Sequence, residues 1–179
     1  MLNQGVSKRY AEALFEIAKE QGQVALFHGE LKLVVEAIEK APEAKAYLDN
    51  FLIKPEEKKE TLRMIFADKV SPMLLNFLLL LTDKRRESYI GAIFAAFSVL
   101  YDEAERIKNT ELYTAIEVSD EEIKALAEKL SAATGYTIRI RPHVEPDLIG
   151  GVKLRVEDRI IDGTLKKQLE RLGGQMKYA

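Results

Sequence analysis

Apolar residues recur three or four positions apart through most of the first hundred residues, which is the spacing of one helix face. Pro42, Pro55 and Pro72 each precede helix-forming residues and suit a first helical turn, where a missing N–H costs nothing. Ser7 is the predicted N-cap of the first helix. The spacing predicts a small bundle of helices over residues 7–21, 23–40, 43–50, 55–67, 72–84 and 87–107.

The apolar spacing changes near Asn109 from a helical period to alternation, which is typical of strands. Residues 119–122 form a capping box that opens a helix, and Gly135 closes it. A last helix over residues 165–172 has leucines at positions i, i+4 and i+7. The alternation predicts strands over residues 112–118, 138–144, 152–156 and 159–162. The predicted fold class is therefore an N-terminal all-α six-helix bundle (residues 1–106) followed by a small α+β domain (residues 107–179) of order β-α-β-β-β-α.

Two of the predicted helices have more apolar surface than one core contact needs. Apolar residues cover roughly 200° of the first helix, whereas packing on a core takes a stripe of about 100° or a little more. Leucines surround the helix over residues 72–84, where Asn76 is nearly alone as a polar residue. Either both helices are central in the bundle, or they border a hydrophobic groove that accepts the amphipathic helix of a partner.

The composition and the absence of known motifs argue against nucleic-acid binding, metal binding, membrane spanning and catalysis. The chain has 27 Lys+Arg and 29 Asp+Glu, so it lacks the basic excess of a bulk nucleic-acid binder. With no Cys and two His it can form no disulfide, thiolate metal site or His-only zinc site. The most apolar run, nine residues from Met73 to Leu81, is about half of a membrane span. No phosphate-binding, zinc-protease or nucleophile-elbow motif is present, so we predict no catalytic, metal or cofactor residue.

One charged feature remains, on two of the predicted strands. Arg139, Arg141, Lys153 and Arg155 share the polar parity of these strands and would form one basic sheet face. Such a face could meet an acidic protein helix, or it could belong to an RNA-binding helical-bundle module, which is the alternative function. An RNA-binding sheet interleaves stacking aromatics with its charges, and residues 138–177 contain none.

Several segments resemble one known family. They are RYAEALF at residues 9–15, NFL through to the arginine at residues 76–86, LIGGVKLRV at 148–156, IIDGTL at 160–165 and LERL at 169–172. Together they resemble the delta-subunit family of F-type ATP synthases, the counterpart of the mitochondrial oligomycin-sensitivity-conferring protein. The resemblance extends over essentially the whole chain.

The resemblance implies a non-catalytic subunit of the peripheral stalk, which holds the catalytic headpiece still while the rotor turns and so couples proton-driven rotation to ATP synthesis. It implies that the helical domain binds the N-terminal helices of the alpha subunits in a groove between its first and fifth helices. The C-terminal domain would bind the C-terminal ends of the b subunits, through the basic sheet face or the apolar end around residues 165–172. The expected partner-binding residues are Tyr10, Ala13, Leu14, Ile17, Leu74, Phe77, Leu78 and Leu81.

We therefore expect no cofactor, no nucleic-acid partner and no membrane span. The N-terminus shows neither a signal peptide nor a transit peptide. The expected location is therefore the cytoplasmic face of a bacterial plasma membrane, as a peripheral part of the complex.

Overall fold

A computed structural model describes residues 4–148, 150–156, 159–165 and 167. The chain divides into two compact units, Met1–Tyr101 (the N-terminal unit) and Asp102–Ala179 (the C-terminal unit). The helices of the first part of the chain are α1 (Gln4–Glu20), α2 (Val24–Lys40), α3 (Pro42–Asp49), α4 (Pro55–Phe66), α5 (Pro72–Asp83) and, after a 3-10 turn at Glu87–Tyr89, α6 (Ile90–Ala104).

The helix starts follow the local sequence, with one exception. The three prolines occupy the first turns of α3, α4 and α5, as predicted. The N-cap prediction for Ser7 is wrong, because α1 already begins at Gln4 and Ser7 is buried within it. Ser7 lies four residues before Ala11 and seven before Leu14, so it falls on the stripe of α1 that faces the core.

The start of α5 is fixed by α2. The Ser71 hydroxyl accepts the Leu74 N–H at 3.3 Å and so caps α5. Glu30 of α2 holds Ser71 in turn, because the Ser71 N–H and hydroxyl donate to its two carboxylate oxygens at 2.9 and 2.7 Å. This double contact sets where α5 begins relative to α2.

A continuous apolar core fills the N-terminal unit. Its buried members come from every helix of the unit and are Ala11, Leu14, Phe15, Ala18, Phe27, Leu31, Val34, Val35, Leu48, Leu62, Phe66, Val70, Leu74, Leu78, Leu79, Leu81, Ile90, Ile93 and Phe97. One ion pair is buried as well: Lys58 of α4 donates to Glu87 at 2.9 Å and to the Leu48 carbonyl.

The C-terminal unit combines a mixed sheet with one helix. Its elements are β1 (Ile107–Thr114), α7 (Asp120–Thr134), β2 (Thr137–Val144), β3 (Val152–Val156) and β4 (Arg159–Asp162). The strand order is β2-β1-β3-β4, with β1 parallel to β2 and the other neighbours antiparallel. The predicted fold class is confirmed, and β2, which contains Pro142, is an edge strand. The predicted final helix lies largely outside the described residues.

The first strand lies earlier than predicted. The sequence predicts a helix to residue 107 and a strand over 112–118, but α6 ends at Ala104 and β1 covers Ile107–Thr114. Arg106, with φ of 53°, turns the chain between them. The reason is tertiary: β1 pairs with β2 along its whole length, from Ile107 opposite Thr137 onward, and this pairing outweighs the local pattern.

Candidate protein-binding surfaces

An apolar surface runs along the outer side of α1 and α5. Its residues are spaced at i, i+4, i+7 and i+11 on α1 and at i, i+4 and i+7 on α5, so each set forms one stripe. In α5, Met73 is 38% exposed and Leu80 is 45% exposed. We call this the α1/α5 surface, and its residues are Val6, Tyr10, Ala13, Ile17, Met73, Phe77 and Leu80.

An aromatic contact joins the two stripes. The rings of Tyr10 and Phe77 meet edge to face, with their centroids 6.2 Å apart. The Arg86 guanidinium lies 5.4 Å from the centre of the Tyr10 ring and donates a hydrogen bond of 2.9 Å to its hydroxyl. Tyr10 is therefore held in place by groups from α5 and from the segment that follows α5.

The structure divides the eight predicted partner-binding residues into two groups. Tyr10, Ala13, Ile17 and Phe77 are half-buried or exposed on the α1/α5 surface. The other four are 1% exposed or less and belong to the core: Leu14, Leu74, Leu78 and Leu81. These four leucines are core residues beneath the surface rather than part of it, because the inward sides of α1 and α5 are covered by the other helices of the bundle.

Sequence reasoning left four residues out of this site. Val6, Met73 and Leu80 extend the two stripes, and the signal was available in their spacing from Tyr10 and Phe77. Arg86 gave no such signal, because a cation after a helix is explained by the helix dipole alone. Only its tertiary contact with Tyr10 connects it to this surface.

A second apolar feature lies between α2, α3 and α4. A cavity of about 490 Å³ opens there. The hydroxyls of Tyr47 and Thr61, which are 3.2 Å apart, form a polar point in the apolar wall. The pattern of α4 did not predict this feature. The apolar residues that line this cavity include Ala37, Ile38, Ala44, Leu48, Leu62, Ile65 and Phe66.

The predicted basic sheet face exists in the C-terminal unit. Strand register places Arg139 and Arg141 of β2 on the same face as Lys153 and Arg155 of β3, opposite the face that contains Leu112. Its cations are partly paired. Arg139 lies 3.6 Å from Asp102, and Arg155 lies 3.6 Å from Glu111. Arg141 has no ion pair within the described residues.

Tyr113 of β1 lies on the basic face between His143 and Lys153, one pair along from Glu111. Its hydroxyl donates to Glu111 at 2.7 Å, and this hydrogen bond is the main reason that the pKa of Glu111 is lowered and that of Tyr113 raised. His143 of β2 stacks on the ring at 5.0 Å, and the Lys153 ammonium of β3 lies 5.2 Å from its centre. Because β1 lies between β2 and β3, the ring is flanked from both sides and offers no free face to a base. This arrangement disfavours the RNA-binding alternative.

The apolar end predicted as an alternative b-subunit contact is only partly described. Leu165 is about half exposed, and residues 166 and 168–172 lie outside the described residues. Within the described part of the chain, no cluster of His, Asp and Glu could hold a metal ion. None of its helices is long and apolar enough to cross a bilayer.

Comparison with known proteins identifies the family. The family model for the ATP synthase delta (OSCP) subunit matches residues 6–176. The chain is 43% identical over 179 residues to the ATP synthase subunit delta of Syntrophomonas wolfei, covering 100% of this chain and 98% of the relative. It is 38% identical over 179 residues to that of Moorella thermoacetica, covering 100% of both. A chain of the Toxoplasma gondii mitochondrial ATP synthase hexamer, 22% identical, shares its fold with a TM-score of 0.69 over 95% of this chain and 96% of that one. The chain thus belongs to the ATP synthase delta (OSCP) subunit family.

Proposed function

We propose that this chain is the non-catalytic joint of the ATP synthase stator, with one partner on each of its units. The N-terminal unit binds the N-terminal helices of the alpha subunits, and the C-terminal unit binds the C-terminal ends of the b subunits. A stator joint resists the torque of the rotor by slow dissociation, which buried apolar anchors provide. It needs no nucleophile, metal or cofactor.

The α1/α5 surface is the observation that supports the alpha-subunit contact. Two stripes of apolar side chains, joined at Tyr10 and Phe77, match the apolar face of an amphipathic helix. Aromatic residues such as these are typical binding anchors. The core leucines beneath α1 and α5 fix the spacing of the two helices before the partner arrives.

Ile17→Asp in the full-length chain tests this contact. Ile17 is on the α1/α5 surface and outside the buried core, so the variant should fold. A charge there should weaken binding of a peptide with the N-terminal residues of the alpha subunit of the same organism by about tenfold or more, measured by calorimetry. Val99→Asp, at an exposed apolar position of α6 outside this surface, is the matched control. Equal affinity of both variants and the unaltered chain for the peptide would contradict the contact.

The basic sheet face supports the b-subunit contact. Arg139, Arg141, Lys153 and Arg155 present cations on one side of the sheet, and Arg141 forms no ion pair within the described residues, although Glu111 on the neighbouring strand feels its charge. This charge complements an acidic protein segment and would steer its approach. Arg141→Glu should weaken capture of the soluble part of the b subunits several-fold and reduce the salt dependence of binding. Lys124→Glu on α7 has the same charge change away from this face, and an equal loss with Lys124→Glu would count against the sheet face.

The proposal also fixes location and activity. The chain is a peripheral component on the cytoplasmic face of a bacterial plasma membrane. The isolated chain should not hydrolyse ATP, whereas the headpiece should hydrolyse ATP without it. Loss of the chain should abolish only the coupling of ATP hydrolysis to proton pumping in membrane vesicles.

A further inference from the structure

Arg86 lies just beyond the C-terminal end of α5, at one end of the α1/α5 surface. It follows the end of α5 and is half-buried against α1, where one N–H donates to the Tyr10 hydroxyl at 2.9 Å. Its neighbour Arg85, with φ of 54°, turns the chain and directs its own side chain to the Phe51 carbonyl at 3.0 Å. Arg85 and Arg86 therefore contact different parts of the N-terminal unit, although they are adjacent in sequence.

The charge of Arg86 has no carboxylate partner within the described residues. A guanidinium has five N–H donors, and the Tyr10 hydroxyl takes one of them. Nearby Glu87 is already bound to Lys58 at 2.9 Å inside the core. A partner that covers the α1/α5 surface would remove water from this half-buried cation, and that desolvation is unfavourable unless the partner brings an anion.

We propose that Arg86 binds a carboxylate of the amphipathic helix that docks on the α1/α5 surface and thereby fixes the direction of that helix. The inference rests on the proposed function, since it names the polar anchor of the same surface. The apolar stripes alone would accept a helix in either direction. A fork of N–H donors at one end of the surface distinguishes the two directions, because an Asp or Glu side chain can meet it in only one of them.

Tyr10 makes the site more selective. Its hydroxyl and ring hold the guanidinium from one side, so less side-chain freedom is lost when a carboxylate binds. The edge-to-face contact of Tyr10 with Phe77 places this anchor directly beside the apolar part of the surface. The expected partner is thus an amphipathic helix with an apolar stripe that ends in one acidic side chain.

A double-mutant cycle tests the inference. The probes are the N-terminal peptide of the alpha subunit and single variants of it in which each Asp or Glu is replaced by its amide. Arg86→Gln should weaken binding of the unaltered peptide by about tenfold. One amide variant of the peptide should bind the unaltered chain about tenfold more weakly than the unaltered peptide does. The same amide variant should bind Arg86→Gln with almost the same affinity as the unaltered peptide. That carboxylate should lie near one end of the apolar stripe of the peptide.

Arg85→Gln is the matched control, because it makes the same charge change one residue away. It should leave the affinity for the peptide within about twofold and show no coupling to any peptide carboxylate. Arg86→Lys should recover only part of the affinity, since an ammonium lacks the planar fork. Amide exchange and circular dichroism confirm that each variant is folded.

The possible failures are distinguishable. If the peptide binds the unaltered chain and Ile17→Asp weakens that binding as expected, but no peptide carboxylate couples to Arg86, then the inference is overturned and the alpha-subunit contact stands. An equal loss with Arg85→Gln and Arg86→Gln would likewise overturn it in favour of a general charge effect. If the peptide fails to bind the unaltered chain, both proposals fall.

Discussion

The two units of the chain are stabilised in different ways. The N-terminal unit has a continuous core of leucine, valine, isoleucine and phenylalanine side chains from all its helices. In the described part of the C-terminal unit the large buried apolar side chains are Leu112, Ile138 and Leu154, and no residue of α7 is fully buried. There, the backbone pairing of four strands and a fully capped helix contribute more of the order.

This difference suits the two proposed contacts. A surface that receives a helix between α1 and α5 must keep its shape before the partner binds, and a dense core beneath it provides that rigidity. A sheet face that meets a charged segment depends on the register of its strands, which fixes the spacing of Arg139, Arg141, Lys153 and Arg155. Each unit should therefore respond to a different kind of mutation.

The largest expected effect comes from a charge inside the apolar unit. Lys58 and Glu87 form a buried ion pair, so Lys58→Met leaves the Glu87 carboxylate unpaired in the core. We expect a loss of about 3–5 kcal/mol in the free energy of unfolding of the N-terminal unit. Urea unfolding followed by NMR methyl signals separates this unit from the other. The double variant Lys58→Met/Glu87→Leu should recover much of the loss, and a double variant as unstable as Lys58→Met would contradict this account.

Truncation of one core leucine in each unit compares the two units directly. Leu78→Ala and Leu112→Ala each remove a side chain that is 1% exposed or less, and each should cost about 2–5 kcal/mol. Hydrogen exchange should show faster exchange in the N-terminal unit for Leu78→Ala and in the C-terminal unit for Leu112→Ala. If either variant destabilised both units equally, the two units would have to unfold as one, and the comparison would fail.

The sequence predicts helices and strands well where local signals are strong. Proline at the first turn of α3, α4 and α5, and the capping box of Ser119 and Glu122, act within a few residues. It predicts β1 poorly, because the position of this strand depends on β2 some thirty residues later. Ser7 fails for a related reason: α1 extends past the local signal, and tertiary packing covers the Ser7 side chain.

The candidate surfaces, like the strands, were predicted only as far as local patterns allow. Helical spacing identified α1 and α5 as helices with surplus apolar residues, but it could not decide which leucines face inward. The other helices of the bundle determine that Leu14 and Leu78 are buried while Leu80 is not. The partner-facing role of Arg86 and the flanked ring of Tyr113 depend on side chains from other elements, which no local pattern contains.

The smallest expected effect is a loss of stability of the C-terminal unit in acid. Hydrogen bonds from the Ser119 side chain and backbone lower the pKa of Glu122 from 4.5, and bonds from the Thr164 backbone and side chain lower that of Asp162 from 3.8. A carboxyl whose pKa is lower in the folded state stabilises that state fully above its unfolded pKa. The contribution is lost as the pH falls through the lowered folded value. The unit should therefore become less stable from about pH 4.5 downward, in unfolding experiments at a series of pH values.

Ser119→Ala tests the source of this pH dependence. It removes the hydroxyl that binds Glu122, so the folded pKa of Glu122 should rise toward 4.5 and the acid-induced loss should become smaller. The variant should also be less stable at neutral pH, since α7 loses the side-chain half of its capping box. Ser98→Ala, at a serine of α6 in the N-terminal unit, should leave the acid response of the C-terminal unit unchanged. If Ser119→Ala kept the full acid response, the capping box would not be its source, and the remaining lowered carboxyls, Glu111 and Asp162, would have to account for it.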